Sequence, residues 1–315
     1  MTIKIAFLSQ PIWDNYCTIG FLSKYHKTTI FLPVAYFVIV SGFLIWHGTW
    51  FSPDHFFVVA ILVALILGRS KEFIRDWSVP VMLLLSYDYL RGLVPKLTQE
   101  VNIYPMINFD KAIFGSLPTN SLQGLLYSQG AVRWYDYLGT ILYMSHFITP
   151  MVIGFIFWVK DRSLFRSYFL ALLLLSYSGF VTYFIFPAMP PWMAAQQGII
   201  PEVSKVMDQV FASFARPLDL PSVYKMVSPN LVAAVPSLHA AYPLLTFFFI
   251  ARKYKAWSLL VLTYVFAIWF SIVYFGEHYV FDIVIGALYA VIIFSLVAKK
   301  DMLWGKLSAR LVRQR

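Results

Sequence analysis

Two histidines and an aspartate near the C-terminus hold the chemistry available to this chain. Pro236-Ser237-Leu238-His239 and Gly276-Glu277-His278-Tyr279-Val280-Phe281-Asp282 each place a histidine where a long apolar segment begins. Asp282 follows His278 at the spacing that puts both side chains on one helix face. Imidazole titrates near neutral pH, so one histidine can attack phosphorus while the other gives and takes a proton. A carboxylate beside the attacking ring fixes its orientation and stabilises its positive form. Ser237 and the free amides at the start of the segment carrying His239 form an expected cradle for phosphate oxygens.

The elements that must position these groups lie in a membrane. The 315 residues are 60% hydrophobic, 19% aromatic and 13% charged, with a mean hydropathy of +0.69. A soluble domain carries about a quarter charged residues. The net charge of +10 resides at the ends of apolar runs rather than on a soluble face, which argues against nucleic acid as a partner. Cys17 is the single cysteine, excluding an intrachain disulfide and a cysteine-built zinc site. The first residues lack the apolar core of a signal peptide, so no cleavage is expected.

Runs of about 20 apolar residues mark spans at 28–46, 137–159, 167–186, 256–275 and 279–298. Shorter or interrupted runs occupy 51–68, 77–90 and 231–251. The expected fold is all-α: a polytopic bundle of about eight membrane helices in one integral membrane domain over 1–315. A catalytic core covers about 77–298 and a basic tail covers 299–315. With eight spans, the basic clusters Lys24/Lys27, Arg69/Lys71/Arg75, Lys160/Arg162/Arg166, Arg252/Lys253/Lys255 and the tail from Lys299 all fall on one side. The positive-inside rule makes that side, with both termini, cytoplasmic. His239 and His278 then lie on the extracytoplasmic or lumenal side. The long connections 91–136 and 187–230 lie there too and are expected to contain short interfacial helices over the site.

The motifs resemble the second and third signatures of the phosphatidic acid phosphatase type 2 superfamily. Phe186-Pro187-Ala188-Met189-Pro190-Pro191-Trp192, Pro236-Ser237-Leu238-His239 and His278-Tyr279 with Asp282 are similar to its inositol phosphorylceramide synthase-like branch. Softer likenesses are Arg75-Asp76-Trp77, Tyr87-Asp88-Tyr89-Leu90-Arg91-Gly92 and Tyr143-Met144-Ser145-His146. The resemblance implies a six-helix phosphatase-type core and a phosphohistidine on His278. It implies that Asp282 orients that ring and that His239 protonates the leaving oxygen and later deprotonates an alcohol or water. Trp192 and His146 become candidate substrate contacts, and no metal or cofactor is needed.

The chain departs from the superfamily pattern. Its lysine and arginine-proline first motif is absent, with Phe186–Trp192 in its place. The arginine expected six residues before the third-motif histidine is Ile272. Charge on a transferring phosphoryl group must then be met by another outer cation: Arg91, Lys96, Lys111, Arg133, Lys205, Arg216 or Lys225. Arg91 is favoured, with Asp88 one turn earlier shaping the pocket. Glu277 reads as a solvated rim residue, His146 as a packed mid-span residue, and Pro190-Pro191 as a helix stop.

The function expected is a membrane lipid phosphotransferase or phosphatase, passing a head-group phosphate, inositol phosphate-like, from a phospholipid donor to a lipid or sugar alcohol. The first alternative is a phosphatase acting on phosphatidate or polyprenyl phosphate. The alternative of another class is a haem-binding or transport protein that uses His146, His239 and His278 as ligands or relays.

Overall fold

The structure, a computed structural model, describes residues 53–97, 100–213 and 230–313. The expected span at 28–46, Arg216 and Lys225 lie outside the described residues, as do the side chains of Asp88 and Lys96. The described residues are all-helical, without strands. The chain forms two units, Met1–Asp76 and Trp77–Arg315. In the first, α1 (Pro53–Ile66) ends at Gly68, whose φ of 67° lets the Gly68 and Arg69 N–H groups close on the Leu65 and Ala64 carbonyls. Helix α2 (Ser70–Leu97) starts in this unit and continues into the second.

The second unit is built on α5 (Trp134–Lys160), α6 (Arg162–Ile185), α9 (Leu238–Lys253), α10 (Ser258–Tyr274) and α11 (Val280–Arg313). Helix α9 packs against all four others. Between α2 and α5 lie α3 (Tyr104–Phe114) and α4 (Pro118–Leu126), and between α6 and α9 lie α7 (Pro191–Gln196) and α8 (Val206–Ala212). These are the short helices expected in the two long connections.

Among the described residues, three segments, Arg162–Ile185, Lys255–Tyr274 and Val280–Leu303, are long and apolar enough to cross a membrane. The halves Trp134–His146 and Ile148–Lys160 of α5 qualify as one span bent by 50°. Pro150 has no N–H to return to the His146 carbonyl, and the bend falls at that missing bond. Large apolar side chains point outward on each of these helices: Ile141, Ile185, Leu259 and Leu296 are more than half exposed. In water such a surface would be costly, whereas hydrocarbon accepts it. Inside, hydroxyls join the helices, with Tyr168–Thr246, Ser176–Tyr242 and Thr182–Tyr289 each at 2.7 Å. Lipid offers no hydrophobic drive between helices, so packing and such hydrogen bonds hold a bundle together.

At one end of the bundle, Lys253 pairs with Asp161, Arg252 lies 4.0 Å from Asp301, and the Lys160 ammonium stands 5.9 Å from the Tyr254 ring. The basic connections around 160–166 and 252–255 therefore meet the polar part of α11 there. His239 and His278 occupy the opposite end, where α9 and α11 begin. Two sequence expectations change. The apolar run 231–251 becomes helix only from Leu238, because Pro236 and the N-cap Ser237 set the start. The Pro190-Pro191 pair does not stop a helix: α6 has already ended at Ile185, and Pro191 opens α7.

Helices α9 and α11 come closest where Gly286 faces the Ser237 turn. A Cβ at Gly286 would stand 2.4 Å from the Ser237 carbonyl oxygen. Backbone cannot rotate away as a side chain can, so Gly286→Ala must push α9 and α11 apart. The expected result is a loss of about 1–3 kcal/mol in stability, read as a lowered midpoint in a thermal melt of the detergent-solubilised protein, with most activity lost.

Candidate active site

The His278 turn is shaped by the end of α10. Gly276 adopts φ 76°, and the Glu277 and His278 N–H groups donate back to the Ile272 carbonyl at 3.1 and 3.2 Å. The Trp192 N–H donates to the Gly276 carbonyl at 3.0 Å, tying α7 to this turn. Gln123 of α4 fixes the surroundings: its Nε2 donates to the Ser204 and Tyr274 carbonyls at 2.8 Å, and its Oε1 accepts from the Ser204 N–H.

The chain then enters α11, whose first turn contains Asp282. The Asp282 carboxylate is fully buried, and its Oδ2 accepts from His278 Nδ1 at 3.1 Å and from the Tyr279 N–H at 3.0 Å. With Nδ1 protonated toward Asp282, His278 Nε2 carries the lone pair. That atom lies 3.0 Å from Nδ1 of His239, so His239 is the donor in this contact. Asp282, His278 and His239 thus form one line of hydrogen bonds.

His239 sits in the first turn of α9. Ser237 accepts from the Ala240 N–H at 3.3 Å, and its own N–H donates to the Asp282 carbonyl at 3.0 Å, joining the segments that carry His239 and Asp282. The Tyr143 ring stacks on His239 at 4.6 Å between centroids, and the His146 ring approaches it at 4.1 Å. His146 Nδ1 bonds to the Tyr143 carbonyl. His146 is 2% exposed, as expected of a packed mid-span residue, and the bend in α5 brings its ring against His239. The Arg91 guanidinium stands 5.8 Å from the Tyr87 ring. Lys111 and Arg133 are exposed.

A small cleft opens over the histidines and is lined by Tyr143, Trp192, Asn230, His239, Glu277 and His278 among others. Glu277 differs from its expected place on a solvated rim. It is 6% exposed and 4.0 Å from the Lys205 ammonium, because the Gly276 turn directs it inward. Among the described residues, no group of three or more His, Cys, Asp and Glu side chains is placed to hold a metal ion.

Asp110 of α3 escapes any reading of the sequence. It is fully buried and accepts the N–H groups of Val280 and Phe281, both at 3.0 Å, so it caps the helix that carries Asp282. Burial pushes its carboxyl above the ordinary range, against the pull of those two N–H groups. Asp110→Ala would leave two buried donors unmet, an expected loss of about 2 kcal/mol or more. A thermal melt should register that loss, and turnover should fall with it as the His278–Asp282 geometry loosens.

A family profile described as the PAP2 superfamily matches residues 108–296. The chain belongs to that superfamily. It is 24% identical over 279 residues to a phosphoinositol dihydroceramide synthase of Bacteroides thetaiotaomicron, covering 84% of this chain and 88% of that protein. It is 24% identical over 167 residues to an inositol phosphorylceramide synthase of Candida albicans, covering 49% of this chain and 34% of the relative. These relatives support the branch that the motifs resemble. No solved structure matches. As a PAP2 member it is an enzyme acting on lipid phosphates, in a chain with apolar membrane helices. The departure from the superfamily's arginine has a visible counterpart: Ile272 is fully buried in an apolar cluster, and its carbonyl accepts the Glu277 and His278 N–H groups.

Proposed function

We propose that the protein is a metal-independent phosphotransferase that moves an inositol phosphate-like head group from a phospholipid to a lipid alcohol through His278. The observation that carries this reading is the Asp282–His278–His239 line at the floor of a cleft. In the first step His278 Nε2 attacks phosphorus and the bond to the diacylglycerol oxygen breaks. His239, entering as imidazolium, protonates that oxygen. In the second, neutral His239 takes the acceptor hydroxyl's proton as its oxygen attacks phosphorus and the P–N bond breaks. Asp282 remains a carboxylate throughout and holds the ring. At 3.0 Å the two imidazoles leave no room for phosphorus between them, so substrate entry must separate them.

Arg91, Ser237 and the first amides of α9 supply the positive field for the phosphoryl oxygens. His146 and Trp192 bound the substrate space, and Asp88 shapes the Arg91 side of it. The catalytic core covers about 77–298, with α2, α5, α6, α9, α10 and α11 as its six helices. The proposed topology has eight spans with both termini and the tail 299–315 cytoplasmic, and the site on the extracytoplasmic or lumenal side. The names of the relatives support phosphatidylinositol as donor and a ceramide-type alcohol as acceptor.

Purified protein incubated with phosphatidylinositol and dihydroceramide is expected to yield the phosphoinositol sphingolipid and diacylglycerol, measured by lipid mass spectrometry, unchanged in rate by EDTA. Release of free inositol phosphate or inorganic phosphate at the same rate without an acceptor would assign the hydrolase instead. Collapse of activity with chelator would remove the metal-free mechanism.

A further inference from the structure

The cleft wall beside His278 combines one carboxylate, one amide and an indole, with a lysine packed against two of them. The Lys205 ammonium stands 4.4 Å from the Trp192 ring and 4.0 Å from Glu277 Oε1. Both Trp192 and Glu277 line the cleft. Asn230 also lines it and is 4% exposed. Its Oδ1 accepts from the Val232 N–H at 3.0 Å, while its Nδ2 has no partner among the described residues. A buried amide with an unmet N–H is costly unless a ligand meets it.

A head group bearing an ammonium seeks an aromatic face and a carboxylate. Here one face of Trp192 is covered by a lysine, and the carboxylate already neighbours that same charge. A second cation would meet repulsion and find both attractions engaged. A neutral ring of hydroxyls meets no such penalty: its oxygens can accept from Asn230 Nδ2, and its O–H groups can donate to Glu277. We infer that Lys205, Glu277, Asn230 and Trp192 form a head-group subsite that selects neutral polyols and rejects choline- or ethanolamine-type head groups. Lys205 is the excluding element and Asn230 the reading one. This rests on the phospholipid-donor reading above and adds the residues that choose the donor.

The test uses full-length protein and an equal mixture of phosphatidylinositol and phosphatidylcholine. Lipid retained by the inactive His278→Ala protein is quantified by mass spectrometry, and transfer is followed with the active enzyme. The parent protein should favour phosphatidylinositol in both assays. Lys205→Met frees the Trp192 face and removes one positive charge beside Glu277, so the inositol-to-choline ratio should fall about tenfold. Glu277→Gln, which removes the negative charge beside that cation, should move the ratio the other way. Asn230→Ala should weaken retention of phosphatidylinositol about fivefold and leave phosphatidylcholine unchanged. Should Lys205→Met fail to fold, the Asn230 and Glu277 variants carry the same comparison. Normal transfer with a ratio that none of the substitutions moves would overturn the subsite. Retention ratios that shift as stated, with no transfer by the parent enzyme, would support the subsite and sink the phosphotransferase reading instead.

Discussion

His278→Ala is expected to abolish turnover and covalent labelling together, whereas His239→Ala should separate them. With a natural donor, loss of His239 removes the acid that protonates diacylglycerol oxygen and the base for the acceptor, and the rate should fall by about 10²- to 10⁴-fold. A donor with a good leaving group, such as a nitrophenyl phosphodiester of the head group, departs without a proton. It should still load His278 in the His239→Ala protein, and the adduct should accumulate because the second step lacks its base. The measurement is protein-bound phosphate that is labile to acid and stable to base, located by peptide mass spectrometry. A label that survives His278→Ala would reverse the assignment of nucleophile. The 3.0 Å contact sharpens the comparison: His239 donates to the lone pair that must attack, so its removal also uncovers the nucleophile.

Asp282→Asn should lower the rate by roughly a thousandfold while preserving the fold. The amide oxygen can take the position of Oδ2 and keep the bonds from His278 Nδ1 and the Tyr279 N–H. The ring orientation and tautomer then persist, and the charge alone is lost. That charge matters when phosphorus becomes bonded to Nε2, because the imidazole turns positive beside a buried group that no longer carries a negative charge. Asp282→Ala should show a comparable fall in rate with a lower melting midpoint, since the Tyr279 N–H also loses its acceptor. An Asn variant with the parent rate would reduce Asp282 to a cap.

What the sequence made legible was local. The His278–Asp282 spacing, the helix starting beside His239 and the apolar runs each need only neighbouring residues to be seen. The residues that escaped are joined through the fold. Asp110 caps a helix 170 positions away, and Gln123 reaches a carbonyl 151 positions away; neither is foreshadowed by pattern. Glu277 was misplaced for a different reason. Composition puts a charged residue next to a helix start in water, but the left-handed Gly276 turn directs it toward Lys205. His146 is packed and hydrogen-bonded, as its place within a span suggested, but its approach to His239 depends on the bend near Pro150, which no local pattern foretells. The late start of α9 was within reach, because proline followed by a serine cap is a start signal; apolar content in 231–235 outweighed it.

Helix α11 also serves as a ruler. From Val280 to Lys299 it rises about 30 Å, the thickness of a bilayer's hydrocarbon layer. In the proposed topology, Lys299 and Lys300 at one level set His278 at the opposite water–lipid boundary, the depth at which phospholipid phosphates reside. Under the proposed function, a donor would present phosphorus there, and an alcohol lipid its hydroxyl, without either drawing its chains out of the bilayer. The proposed catalyst would then work on lipids in place, with both reactants arriving by lateral diffusion in a shared plane.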